Sequence, residues 1–217
     1  MLLRAVVVDL DGVLRRWDPA VIADAEAAHG LPVGALAAAA FDPELLSVAV
    51  TGRISDWQWR DQVAGELAGR FGRAAAAGAV AQWSASAGEV DEEVLAVIRG
   101  LRGRCRVALL SNATTRLRAD LDRLGLTAVL DEVFNSAELR LAKPDPEVFR
   151  VVCARLGVAP AECGFVDDTA GHVQAAEAVG LVGHRYVSAA GLAGFLTDCG
   201  VPSCLTRSQA GQLRSAR

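Results

Sequence analysis

Six residues near the start of the chain, Asp9-Leu10-Asp11-Gly12-Val13-Leu14, place two carboxylates two positions apart beside a glycine. They follow Ala5-Val6-Val7-Val8, an apolar run rich in β-branched residues and too short for a helix. Such a run reads as a strand buried on both faces of a parallel sheet. Strand side chains alternate, so Asp9 and Asp11 are expected to point the same way while Leu10 points back. Gly12 lets the chain leave the strand in a conformation other residues avoid. Two ionised carboxylates side by side repel, and a metal ion on one with a proton on the other relieves the repulsion. The C-terminal end of a strand is also where open α/β sheets bind ligands. Taken alone, the segment has a second reading, a polar turn that merely closes a strand.

Three later segments have polar residues at the same kind of place. Leu109-Leu110 runs into Ser111-Asn112, whose hydroxyl, amide and backbone N–H groups could hold an oxyanion such as phosphate; Ser-Asn after a strand is also a common helix cap. Lys143-Pro144 follows Leu139 to Ala142, and the proline should keep Lys143 extended. An ammonium held there would offset paired carboxylates and bind a phosphoryl oxygen, unless it is simply a solvated surface charge. Gly164-Phe165-Val166 leads to Asp167-Asp168-Thr169. With Asp9, this second acidic pair supplies the hard oxygen ligands that Mg²⁺ prefers, and the ion would complete its octahedron with waters and a substrate phosphate oxygen.

Strands and helices must alternate to bring these segments together. Further strands are expected over 104–110, 129–134, 163–166 and 181–187, with amphipathic helices over 115–124, 146–156 and 171–179 between them. That alternation predicts an α/β fold, a Rossmann-like parallel sheet with helices on both faces. Residues 15–89 break the rhythm. No convincing strand occurs there, only helical stretches begun at Asp18-Pro19 and Asp42-Pro43 and by a capping box at Ser55-Asp56-Trp57-Gln58. The interval reads as a small all-helical domain inserted after the Asp pair and placed to cover it. The expected division is a core of 1–14 and 90–199, a helical cap of 15–89, and a flexible tail of 200–217.

Composition narrows the partners. The chain has 217 residues, 52% hydrophobic and 22% charged, and a net charge of −4, with no basic cluster interleaved with aromatics to bind nucleic acid. No apolar run approaches the roughly 20 residues that cross a bilayer. Met1-Leu2-Leu3-Arg4 shows no cleavable signal pattern. Cys105, Cys153, Cys163, Cys199 and Cys204 show no ligand spacing. An odd count without an export signal leads to the expectation of reduced thiols in a cytoplasmic protein.

The motifs at 9–14, 111–112, 143–144 and 165–169, in this order, resemble those of the haloacid dehalogenase superfamily, and the insert is similar to the small helical C1 cap of its phosphatase-like members. The resemblance implies that Asp9 is a nucleophile forming an aspartyl-phosphate and that Asp11 is its general acid and base. It further implies that Ser111 and Asn112 hold phosphoryl oxygens, that Lys143 balances the charge of Asp9 and phosphate, and that Asp167 and Asp168 bind Mg²⁺ with Asp9 and the Asp11 carbonyl. Dehalogenases proper carry a non-acidic residue where Asp11 stands, which turns the reading towards phosphate esters. His172 stands where one form of the last motif has an acid, and reads as a helix-start residue at the cleft rim. The expected activity is hydrolysis of a small sugar-phosphate-like metabolite. Arg53 and Trp57, and Arg15, Arg16 and Trp17, are candidates to meet the leaving group. The alternatives are a phosphomutase and a binding protein that has lost turnover. Oligomeric state stays open.

Overall fold

The computed structural model describes residues 2–201. Its strands are β1 (Ala5–Val8), β2 (Arg15–Arg16), β3 (Glu89–Val90), β4 (Arg106–Ser111), β5 (Glu132–Asn135), β6 (Cys163–Asp167) and β7 (Val182–Arg185). Five of them form one sheet in the order β5-β4-β1-β6-β7, and every pair is parallel. Both faces of β1 are buried, and the period of two decides which side chain goes where. Val6 and Val8 join one apolar cluster, Ala5 and Val7 the other. The first cluster is closed by α6 (Glu92–Arg99), α7 (Leu117–Arg123) and α11 (Ala189–Asp198), through residues such as Ile98, Leu121 and Leu192. On the opposite face, α9 (Pro146–Leu156) and α10 (Ala170–Ala178) contribute Phe149, Val152 and Ala176. The α/β architecture expected from the alternation is therefore present.

Between β2 and β3 lie five helices, α1 (Ala20–Ala28), α2 (Ala35–Ala40), α3 (Pro43–Val50), α4 (Asp56–Phe71) and α5 (Arg73–Ala85). They bury a core of their own, built around Leu36, Trp59, Val63, Leu67 and Ala79. The start of α4 is the capping box read from the sequence: Ser55 Oγ accepts from the Gln58 amide and the Gln58 side chain accepts from the Ser55 amide. Asp42 caps α3.

Two local expectations need correcting. Residues 15–89 are not free of strand, because β2 and β3 pair antiparallel at the joint between insert and sheet, Arg15 with Val90 and Arg16 with Glu89. Two residues per strand are too few to leave a period in the sequence. Val201 is buried and donates to Leu196, so the start of the expected tail is packed; the rest of that tail, with Cys204, lies outside the described residues. A further short helix, α8 (Ser136–Leu139), follows β5 directly.

Candidate active site

Register gathers the polar strand ends. Val8 lies level with Leu109 and Val166 in the three central strands, so Asp9, Ser111 and Asp167 emerge within a residue or two of one another at the same edge. Asp9 and Asp167 are both buried, and Lys143 is buried between them. Its Nζ lies 2.9 Å from Asp9 Oδ1 and 2.7 Å from Asp167 Oδ2. The loop that delivers it is held by Asn112, whose side chain accepts from the Lys143 amide and donates to the Lys143 carbonyl, both at 2.8 Å. The Lys143-Pro144 peptide is cis.

The two carboxylates on Lys143 are not equivalent. Burial raises Asp9, and Asp167 adds to this, so that Lys143 and the Leu10 amide leave it at about 6. Burial opposes the charge of Asp167 too, yet the His172 ring, Lys143 and the Thr169 amide together hold it below the ordinary carboxylate range. His172 Nδ1 sits 3.1 Å from Asp167 Oδ2. This histidine, read from the sequence as a helix-start residue at the cleft rim, lies in the first turn of α10 and is also a partner of a buried acid.

Asp11 does not share this environment. β1 ends at Val8, and residues 10–14 turn so tightly that the Leu14 and Arg15 amides both donate to the Leu10 carbonyl. Strand alternation therefore does not reach Asp11. Its Oδ1 accepts from Arg15 Nε and Trp17 Nε1, each at 2.7 Å, and its Oδ2 accepts from Arg15 Nη2 at 2.9 Å. Arg15 is itself buried, bonded to the Ala87 carbonyl and 3.5 Å from Asp120. The expected repulsion between the two acids is thus met by two separate cations.

The other candidates divide. Ser111 is buried at its strand end. Asn112, expected to hold phosphoryl oxygens, spends its amide on the Lys143 backbone. Arg53 and Trp57 are exposed and lie outside the lining of the cavity of about 440 Å³ between sheet and insert. That lining takes Arg60 and Trp59 instead, from the turn of α4 after Trp57, together with Asp11, Arg15, Trp17 and Asn112. Which α4 residues face the cavity depends on how the insert packs, and no local signal carries that.

Asp9, Asp167 and Asp168 each offer a carboxylate oxygen within 4.8 Å of the others; the Asp11 side chain is outside this group, leaving only its carbonyl for a metal. Gly12 adopts φ 79°, and a Cβ there would collide with the Asp168 carboxylate, so the glycine is what lets the turn approach that acid. Three hard oxygen donors facing a single ammonium suit a small divalent cation such as Mg²⁺.

A family model of haloacid dehalogenase-like hydrolases matches residues 3–180, and the chain belongs to that family. Among curated proteins it is 39% identical over 80 residues to flavin mononucleotide hydrolase 1 of Arabidopsis thaliana (37% of this chain, 33% of that protein). It is 39% identical over 74 residues to (S)-2-haloacid dehalogenase 1 of Pseudomonas sp. strain CBS-3 (34% and 33%). Over 79 residues it is 34% identical to human N-acylneuraminate-9-phosphatase (36% and 32%). The chain spans about a third of the length of these relatives. A HAD family enzyme from Bacteroides thetaiotaomicron, solved with magnesium and inorganic phosphate, superposes with a TM-score of 0.69 at 22% identity, covering 82% of this chain and 91% of that one. L-2-haloacid dehalogenase from Xanthobacter autotrophicus with covalently bound chloropropionic acid gives 0.61 at 23% identity, covering 92% and 84%. At these identities the likeness is one of fold.

Proposed function

We propose that the chain is a Mg²⁺-dependent phosphatase that hydrolyses a small phosphomonoester through an aspartyl-phosphate on Asp9. The observation that carries this reading is the separation of the two acids. Asp9 sits in the acidic group with Lys143, while Asp11 stands apart in the cavity wall with its own guanidinium. Acids driven into different environments take different roles. A halide leaves without a proton, whereas an alkoxide needs one, so a second acid facing the leaving-group side favours an ester.

Asp9 Oδ1 is held by the Leu10 amide and Lys143, which fixes the carboxylate for attack on phosphorus. Lys143 neutralises the oxygens gathered around that phosphorus, and the Ser111 hydroxyl donates to one of them. Asn112 acts through Lys143, as a positioning residue. Asp11 is the group to protonate the departing oxygen and then to take a proton from the water that cleaves the acyl phosphate. Asp9, Asp167, Asp168 and the Asp11 carbonyl would hold the Mg²⁺, which when bound neutralises phosphoryl charge. The flavin mononucleotide hydrolase and the N-acylneuraminate-9-phosphatase among the relatives support the phosphoester reading.

The test is release of inorganic phosphate from a panel of phosphomonoesters with Mg²⁺ and again after chelation, beside chloride release from 2-chloropropionate. Turnover should require the metal and fall more than about 10³-fold in Asp9→Asn. Chloride without phosphate, an isomerised ester without free phosphate, or near-normal turnover by Asp9→Asn would each overturn the proposal.

A further inference from the structure

Resting on that phosphatase reading, we infer that the leaving group is a neutral aromatic alcohol rather than a sugar or an acid. The cavity of about 440 Å³ has Asp11 and Asn112 in its wall, so an ester whose phosphorus meets Asp9 and whose leaving oxygen meets Asp11 must project the rest of itself there. Its volume falls in the range of ordinary small-ligand sites. Four aromatic side chains line it: Trp17, Phe41, Trp59 and Trp83. Trp83 stands edge-on to both Trp59, at 5.3 Å between centroids, and Phe41, at 6.3 Å. Phe41 is 49% exposed and Trp17 is 44% exposed, large apolar surface left uncovered in the lining.

The cations in the wall carry the other half of the argument, because each is already engaged. Arg15 is bidentate on Asp11. Arg60 Nε lies 2.8 Å from Asp56, with its guanidinium over the Trp83 ring. Arg116 bonds Asp120 and the carbonyls of Ser84 and Ser86. Four aspartates, Asp11, Asp18, Asp56 and Asp120, accompany these three arginines in the lining. A second phosphate or a carboxylate on the leaving group would find no spare positive charge, and burying it unpaired is costly. A polyhydroxylated sugar would lose most of its water for aromatic walls. Besides Arg60 Nε, which is ion-paired with Asp56, one buried polar atom of the lining has no hydrogen-bond partner, Ser84 Oγ. It offers a single hydrogen bond, enough for one ring heteroatom or carbonyl.

Two measurements test the inference. The first compares kcat/KM for benzyl phosphate with that for glucose 6-phosphate and glycerol 2-phosphate. Benzyl phosphate should lead by at least about tenfold, and Phe41→Ala should lower its advantage over glycerol 2-phosphate by about fivefold. Equal or better turnover of the sugar phosphate, or an unchanged ratio in Phe41→Ala, overturns the inference while leaving the phosphatase reading intact. The second needs no turnover. Three of the chain's four tryptophans, Trp17, Trp59 and Trp83, line the cavity, so benzylphosphonate should change tryptophan emission saturably where methylphosphonate does not. If no ester is hydrolysed yet benzylphosphonate binds, the phosphatase reading fails and the aromatic site stands. If neither phosphonate alters the emission, the aromatic site fails.

Discussion

Asp11 accepts three hydrogen bonds, two from Arg15 and one from Trp17, and handing a proton to a leaving oxygen requires it to set at least one of them aside. The guanidinium therefore has two opposing effects on the proposed chemistry: it fixes the carboxylate, and it occupies the oxygens that must carry the proton. Replacing Arg15 by Met should free Asp11 while leaving Asp120 short of a neighbour. The expected result is a loss of about 1–3 kcal/mol in stability, read as a lower midpoint in urea. The kcat for phosphomonoester hydrolysis should also fall by about tenfold or more, because the acid loses the donors that orient it. A variant that is merely less stable, with kcat unchanged, would show that Arg15 does no more than join the elements.

At the level of elements, the insert contains a cap that crosses between helices. α2 begins at Gly34, which has no side chain to cap it. Glu26 of α1, buried, accepts from the Gly34 and Leu36 amides instead, both at 2.8 Å. Glu26→Ala would leave the buried Leu36 amide without an acceptor and the exposed Gly34 amide to water, and should cost about 1–2 kcal/mol, seen as a drop in melting temperature. Ser55→Ala, at the exposed capping box, should cost about 1 kcal/mol. The capping box was legible in the sequence and the Glu26 contact was not, and the difference is general. Features set by neighbours along the chain leave a pattern: the apolar runs ending in Asp9, Ser111 and Asp167, and the break in alternation after residue 15. Features set by packing leave none. The tight turn takes Asp11 out of strand geometry, Asn112 folds back onto Lys143, and α4 presents Arg60 and Trp59, not Arg53 and Trp57, to the cavity.

For the molecule as a whole, stability against acid is set in part on the far side of the sheet. His184 of β7 stacks on Phe195 at 4.6 Å, and its Nε2 is buried without a partner. Burial lowers its pKa from 6.5, so below that pH the unfolded chain takes up a proton that the folded protein resists. The stability this histidine confers is complete above about 6.5 and is lost as pH falls through the lower folded value. Replacing it by Phe keeps the ring contact and removes the titration. The stability difference between His184→Phe and the parent should therefore grow in the variant's favour from pH 7.5 to 5.5, and a difference that stays constant would refute this assignment.

Both passes of the chain into and out of the insert run through one two-residue ribbon, Arg15–Arg16 against Glu89–Val90. Entry and exit are thus side by side and antiparallel, the arrangement that a β-hairpin closes with two residues such as Asn-Gly. Residues 17–88 are in this sense a cartridge seated on a socket: they can be removed and the socket sealed without lengthening any other loop. The sealed core keeps Asp9, Lys143, Asp167 and Asp168 on their own strands and loops. It should fold, hydrolyse small activated esters in proportion to what the exposed edge alone can do, and lose every preference for the leaving group, which circular dichroism and the same substrate panel would reveal. A different helical cartridge on the same ribbon would then supply a different preference without any change to the sheet.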